Sequence, residues 1–326
     1  MRLLLTGATG FVGRNAIVRA AAKGWSVLAP VRDPVRLARV LAADGIDASH
    51  VRPLPADPSL WPSPLPADAA WHCAGVLFER TLPAYLRTNL HWTLSVLKKV
   101  PKGMPAVVLS SLSAGGPTPE GRIARSETDG DDPITFYGES KLRMERAIAR
   151  GFGGSPIVIL RPPMILGARD SAALQLFKMA RSPLRAKPGL REKWFSFVAV
   201  EDLLDACGAA LEQAKDLAGR AHYVASPQIF TDRVLIRTVS SSMGKRGFNL
   251  PLPNPLLGAL SAVVDAVPPL RNQLPSFTRD RAREIFADRW VVDASALEEA
   301  TGWKARTTLA TAIAAARDYY IAQKLI

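Results

Sequence analysis

Tyr137 and Lys141 stand four residues apart in the run Tyr137-Gly138-Glu139-Ser140-Lys141. On a helix that spacing puts a phenol and an ammonium on one face. A phenol is too weak an acid to exchange protons near neutrality unless a nearby positive charge stabilises its anion. The pair therefore reads as a general acid/base in which Lys141 lowers the Tyr137 pKa, although the same spacing also occurs on ordinary solvated helix faces. A hydroxyl able to hold a reacting oxygen beside the phenol is offered by Ser110 and Ser111, at the end of the β-branched run 106–109, and by Ser113 just beyond. Such a set can move a proton on or off a carbonyl or alcohol oxygen.

The elements that would position these groups begin at the first residue. An apolar run at 1–5 leads into Thr6-Gly7-Ala8-Thr9-Gly10-Phe11-Val12-Gly13 and then a helical stretch at 14–24, which reads as strand, glycine turn, helix. Glycines at 7, 10 and 13 allow a tight reversal, backbone close to a pyrophosphate and close helix-to-strand packing, with the helix N-terminus facing the phosphates. Their spacing is Gly-x-x-Gly-x-x-Gly, not Gly-x-Gly-x-x-Gly, so their place between strand and helix carries the inference. A second strand, 26–31, ends in Val31-Arg32-Asp33-Pro34. An acidic residue at that point would accept from a ribose 2′-hydroxyl, and a basic one would pair with a 2′-phosphate. Arg32 reads as the 2′-phosphate ligand with Arg14 as a second contact. The alternative has Arg32 capping the strand in solvent and Asp33 taking the ribose.

Together the glycine turn and the Tyr/Lys pair resemble the extended branch of the short-chain dehydrogenase/reductase family, the NAD-dependent epimerase/dehydratase superfamily. Val31-Arg32-Asp33-Pro34 resembles its dihydroflavonol reductase and 3β-hydroxysteroid dehydrogenase type members. The resemblance implies an α/β fold: a Rossmann-like doubly wound parallel sheet with a smaller C-terminal α/β substrate domain. It implies NADP as cofactor, with NAD as second choice, lying along Gly7, Thr9, Gly10, Phe11, Val12 and Arg32. Asp57 would lie near the adenine, though Pro58 follows it where the family usually has leucine. Ala74 and Gly75 would let the cofactor pass over the backbone after a fourth strand, beside which His72 reads as packing. Pro162 and Met164 would lie along the cofactor at the exit of the sixth strand. Ser111, aligned on Gly116-Pro117, takes the family's catalytic serine position. Lys141 would also bind the nicotinamide ribose, and Asn89 would support a proton relay through backbone and water. The segment 197–203 resembles the return of the chain to the core. Trp290 to Asp293, Gly302-Trp303 and a helix from Thr307 onward resemble the family's C-terminal signature.

Composition sets the outer limits. A chain of 326 residues with 48% hydrophobic content can bury a large core or two unequal ones. The resemblance divides it into a dinucleotide-binding part, 1–160 plus about 198–215, and a substrate-binding part, about 161–197 and 216–326. The proline-rich stretch 53–66 reads as the loop after strand three. Forty-two basic against 29 acidic residues leave a net charge of +13, spread along the chain without the exposed aromatics that a nucleic-acid partner would call for. Arg181, Arg185, Lys187, Arg191 and Lys193 form the densest basic group and fit a loop over a pocket for an anionic cofactor or substrate. No apolar run is long enough for an integral membrane segment, and Met1 opens directly on a core strand, so a cytoplasmic protein is expected. Two cysteines and four scattered histidines make no metal or redox spacing.

The expected activity is NADP-dependent interconversion of a ketone or aldehyde with an alcohol. The apolar run 251–267 suggests a hydrophobic small molecule: sterol, terpenoid, flavonoid-like or acyl ketone. That run is too short to span a membrane but could dock at its surface. A nucleotide-sugar epimerase retaining NAD is the alternative enzyme, and a non-catalytic cofactor-sensing relative the alternative of another class. Leu112-Ser113 after Ser111, in place of Asp-Glu, argues against a sugar dehydratase. A homodimer through the helices carrying Asn89 and Tyr137 is the expected assembly.

Overall fold

The computed structural model describes residues 1–274 and 277–326. Its first part alternates strand and helix: β1 (Arg2–Thr6), α1 (Phe11–Ala22), β2 (Ser26–Val31), α2 (Pro34–Ala43), β3 (Val51–Pro55) and β4 (Ala69–His72). A helical stretch follows, made of α3 (Leu82–Leu86), a wide π-type turn (Arg87–Trp92) and α4 (Thr93–Leu97). Next come β5 (Ala106–Leu109), the short α5 (Leu112–Gly115), α6 (Phe136–Gly151) and β6 (Ile157–Arg161). Beyond them lie β7 (Met164–Leu166), α7 (Leu174–Ala180), β8 (Leu184–Pro188), β9 (Trp194–Phe195), β10 (Phe197–Ala199), α8 (Val200–Glu212), α9 (Ala214–Leu217) and β11 (Ala221–Tyr223). The chain closes with β12 (Phe230–Thr231), α10 (Asp232–Ser242), β13 (Phe248–Leu252), α11 (Asn254–Ala266), α12 (Pro268–Gln273), α13 (Arg279–Phe286), β14 (Arg289–Trp290), α14 (Ser295–Thr301) and α15 (Leu309–Ala322).

Seven strands form one sheet in the order β11-β6-β5-β4-β1-β2-β3, every neighbouring pair parallel. Parallel strands need crossovers, and crossovers cover both faces, so the central strands are apolar through their middles, with polar residues only at their ends, such as Thr6, His72 and Arg161. Successive residues divide between the two faces. Leu3, Leu5, Val107 and Val158 pack with Ile17 of α1, Leu41 of α2 and Leu203 of α8. Leu4, Val108, Ile157 and Ile159 pack on the opposite side with Val96 of α4 and with Met144 and Ile148 of α6. This is the Rossmann-like doubly wound α/β architecture expected from the sequence.

The chain winds outward from β1 to β3 and then starts afresh at β4 on the other side, so the order reverses between β1 and β4. Crevices at such a reversal are where open α/β sheets bind ligands. Two details depart from expectation. Pro53 and Pro55 lie inside β3 and not in a loop; β3 is the edge strand, where a missing N–H costs no ladder bond on its outer side. The sheet also takes a further strand, β11, from beyond residue 215. The 197–203 segment does return to the core, with Leu203, Leu204 and Cys207 of α8 packed there.

The remaining elements form three small sheets, β7 with β10, β12-β9-β14, and β8 with β13. A separate apolar cluster joins Phe177 of α7, Phe197, Phe230, Val239 of α10 and Ile313 of α15.

Candidate active site

The glycine turn sits at the reversal. Gly7 adopts φ +74°, which favours glycine, and the Gly10 amide donates to its carbonyl at 2.8 Å. A Cβ on Gly7 would lie 2.9 Å from the Ala74 backbone nitrogen, so the exits of β1 and β4 are in direct contact. Thr9, Gly10, Phe11 and Val12 carry the chain into α1. Gly10 at its N-cap has no side chain to satisfy the first N–H groups, which suits a pyrophosphate. At the exit of β2, Asp33 accepts from the Arg36 amide at 3.0 Å and caps α2, whereas Arg32 is exposed beside it. Arg36, also exposed on the first turn of α2, was not singled out from the sequence.

Arg14 does not stand ready as a second phosphate contact. Its guanidinium donates to Asp44 at 2.7 Å, to the Tyr319 hydroxyl at 3.2 Å and to the Arg169 carbonyl at 2.6 Å, tying α1 to α15. Asp57, past the end of β3, caps a single 3-10 turn by accepting from the Ser59 amide at 2.8 Å. Pro162 and Met164 follow β6, and the Pro162 carbonyl accepts from Leu112 at 2.9 Å, beside Ser111.

Tyr137 and Lys141 lie on the buried face of α6, whose first turn is capped by Thr135 accepting from the Gly138 amide. Gly138 lets that turn press against α5: a Cβ there would come 2.2 Å from the Ser113 carbonyl oxygen. Two of the three candidate serines are told apart by their partners. Ser110 is buried and donates to Glu145, while Ser111 starts α5, accepts from the Ser113 amide at 3.1 Å and faces the Tyr137 phenol.

Burial pushes the Tyr137 phenol up to about 12, opposed first by the Ser111 hydroxyl and then by the Arg281 guanidinium. Lys141, expected to lower this pKa, is not among the groups that bear on the phenol here. The Lys141 ammonium is turned to the Leu109 carbonyl, 2.9 Å away, and burial lowers its own pKa to about 8 against the pull of Glu145. The cation over the phenol is Arg281 of α13, its guanidinium carbon 5.3 Å from the ring centre of Tyr137 and 5.7 Å from that of Phe78. Arg281 pairs with Glu284 at 2.9 Å, and Glu284 also accepts from Thr135 at 3.0 Å. No spacing in the sequence marks Arg281, because tertiary folding alone brings it to Tyr137.

Asn89 sits in the π-type turn, a distortion that often marks functional sites. Its side chain accepts from the Val76 amide at 2.8 Å and donates to the Val76 carbonyl and to the Ser140 hydroxyl, which in turn donates to the Tyr137 carbonyl. Asn89 thus fastens the β4 exit to the helix carrying the phenol. A Cβ on Gly75 would lie 3.2 Å from Lys141 Nζ and 3.3 Å from Asn89 Oδ1, so Gly75, Asn89 and Lys141 converge. His72 is buried between the Thr6 and Thr93 hydroxyls at 3.0 and 2.9 Å, and burial lowers its pKa to about 3, so it stays neutral. Beneath the site, Arg161 holds Glu145 with its Nε and outer nitrogen and reaches Asp131 at 2.8 Å. Glu145 could have been read from the sequence, since it continues the four-residue spacing of Tyr137 and Lys141.

The basic group at 181–193 is not a loop over an anion pocket. Arg185, Lys187 and Lys193 are buried, and only Arg181 and Arg191 are exposed.

Residues 3–225 match the model of the NAD dependent epimerase/dehydratase family. A ceramide reductase of Caulobacter vibrioides is 26% identical over 303 residues, 90% of this chain and 87% of that protein. Among solved structures, UDP-glucuronic acid 4-epimerase from Bacillus cereus in complex with UDP-glucuronic acid and NAD superposes with a TM-score of 0.76 at 18% identity, over 100% of both chains. RMD from Pseudomonas aeruginosa complexed with NADPH gives 0.69 at 21% identity, over 98% of this chain and 99% of the other. These two share the fold. With most of its length matched by the family model and the sheet reversal at its glycine turn, the chain belongs to the NAD dependent epimerase/dehydratase family and is an NAD(P)-dependent enzyme of the extended short-chain dehydrogenase/reductase type.

Proposed function

We propose that the chain is an NADP-dependent reductase that interconverts a ketone or aldehyde with an alcohol on a hydrophobic small molecule. The observation that carries this reading is the meeting of Ser111, Tyr137 and Arg281 beside Gly75 and Lys141. It joins a proton donor, a hydroxyl and a fixed positive charge at the mouth of a dinucleotide crevice. Residues 1–160 plus about 198–215, together with the added strand β11, would hold the cofactor. About 161–197 and the rest of 216–326 would enclose the substrate.

The glycine turn and the open N-terminus of α1 fit the pyrophosphate. Exposed Arg32, freed from competition by Asp33 at its cap, favours a 2′-phosphate and hence NADP over NAD. When bound, the cofactor supplies or accepts a hydride. Tyr137 then gives its phenolic proton to the carbonyl oxygen as that oxygen becomes a hydroxyl, and in the reverse direction the phenolate removes it. Ser111 holds the same oxygen by hydrogen bond. Arg281 stabilises the phenolate left on Tyr137, while Lys141 would hold the nicotinamide ribose. Asn89 acts through Ser140 and the backbone as a positioning residue.

The hydrophobic substrate rests on the apolar α11, and the likeness to a ceramide reductase favours the acyl-ketone end of the range. A nucleotide-sugar epimerase with retained NAD is the competing reading, since the same Ser/Tyr/Lys set can act on a sugar hydroxyl. The test is a Tyr137→Phe variant assayed with NADPH and long-chain ketones. Turnover should fall by about 10²- to 10⁴-fold, the usual worth of a general acid, with NADPH affinity by fluorescence titration within about twofold. Near-normal turnover would remove Tyr137 from the mechanism. NAD co-purifying with the wild type, and retained through gel filtration, would favour the epimerase.

A further inference from the structure

Strands β8 and β13 run parallel with Leu184 beside Phe248 and Ala186 beside Leu250. All four of these side chains are exposed, Phe248 at 83% and Leu184 at 56%. The alternate residues of β8 are cations, and they point inward. Arg185 donates to the carbonyls of Ser182 and Ala180, and Lys187 to those of Gly189 and Arg191. Lys187 also lies 2.9 Å from an Asp232 carboxylate oxygen, near enough for an ion pair but without the alignment of a hydrogen bond. A half-buried strand in water normally turns its apolar side chains in and its charges out. Here the alternation is reversed, and the reversal is locked by carbonyls built to receive the cations.

The chain passes from β13 through Pro253 into α11, where Leu256, Leu260, Val263 and, just past its end, Val267 are exposed at the four-three-four spacing of one helical stripe. Leu270 and Leu274 continue the exposed apolar series around α12. Around these groups stand exposed Arg181, Arg191, Lys245 and Arg246; the carboxylates near them are Asp265, the exposed Glu192 and Asp288, which lies 3.7 Å from Arg191.

We propose that β8, β13 and α11 form a docking face for an anionic lipid surface. Phe248, Leu250, Leu184 and the α11 stripe would enter the boundary between headgroups and acyl chains, with Arg181, Arg191, Lys245 and Arg246 among the headgroups. Charge complementarity selects this occupant, since exposed bases outnumber exposed carboxylates along the rim. Among the described residues no helix is long and apolar enough to cross a membrane, so the face would lie on the bilayer. This attachment does not depend on the Tyr137 chemistry, though it gives the exposed stripe of α11 to the lipid surface instead of to the substrate.

Sedimentation of the full chain with vesicles of phosphatidylglycerol and phosphatidylcholine tests it, beside vesicles of phosphatidylcholine alone. Binding should need the anionic lipid and fall as salt rises. The double variant Phe248→Ser/Leu250→Ser should bind at least tenfold more weakly, as expected for removing two deeply placed apolar side chains. Lys245→Gln and Arg246→Gln should each cost about fivefold. All three should keep the wild-type melting temperature, which separates lost docking from lost folding. Failure to bind the anionic vesicles would overturn the proposal, as would binding unchanged in the double variant. A concentration-dependent dimer in light scattering, dissolved by Phe248→Ser/Leu250→Ser, would overturn it too, by assigning the face to a second copy of this chain.

Discussion

Two regions of this molecule bury cations and do so to opposite ends. Around Tyr137, the buried Arg161 and Lys141 are held by Glu145, Asp131 and the Leu109 carbonyl, and their burial fixes the ground on which the phenol stands. On β8, the buried Arg185 and Lys187 are held chiefly by nearby backbone carbonyls, and their burial leaves Leu184 and Ala186 facing out. In the first region ionic partners set position. In the second, cations set which face of a strand meets the surroundings. A positive residue therefore says little until its depth is known, and the count of +13 is spread over both uses.

The sharpest way to break this contrast is at Glu145. Its carboxylate takes Arg161 and Ser110 together, and the Glu145→Ala variant would leave Arg161 buried with Asp131 as its one remaining carboxylate partner. Removing one member of a buried pair costs about 3–5 kcal/mol. Urea unfolding should show a loss of that size, with the m-value unchanged. A loss below about 1 kcal/mol would mean that the pair is no more structural than an exposed salt bridge, and the site would not rest on it.

Next in size is Arg281. At 5.3 Å from the Tyr137 ring, one charge is worth about 3 kcal/mol at an effective dielectric of about 20, before the opposing effect of Glu284. The groups that bear on the phenol are Ser111, Arg281, Glu284 and Tyr85, and of these Arg281 is the cation. Arg281→Gln removes a positive charge that stabilises the phenolate, so the Tyr137 pKa rises. In the alcohol-oxidising direction, which needs the phenolate, kcat/KM at a fixed pH below that pKa should fall by about tenfold. An unchanged kcat/KM would return the acidifying role to Lys141 in the cofactor-bound enzyme.

Much of the core was legible in the sequence because its signals are local. The apolar run before Gly7, the four-residue step from Tyr137 to Lys141 and the β-branched residues ahead of Ser111 each need only their neighbours to be read. Pro53 and Pro55 misled, because prolines mark loops unless the strand is an edge, and edge position is decided by the whole sheet. Ser110 and Ser111 could not be separated until Glu145 was seen to claim one of them. Arg281 was invisible for the same reason, since α13 reaches Tyr137 only through tertiary packing. The basic group at 181–193 was misread because alternation on a strand has two phases, and composition does not tell which phase faces out.

The smallest effect is also the one that most directly tests the second region. Leu260 lies on the exposed stripe of α11, while its neighbours Leu257, Ser261 and Val264 are buried. If the stripe is a face turned to the surroundings and not part of the core, Leu260→Ser removes no packed contact. Stability should then stay within about 0.5 kcal/mol of wild type, as for surface substitutions generally. Leu257→Ala, by contrast, would open a buried position and cost about 2–5 kcal/mol. Paired thermal melts of Leu260→Ser and Leu257→Ala should thus differ by several degrees. Equal losses would mean that α11 is packed on both sides, and the contrast between an inward-facing site and an outward-facing apolar surface would fail.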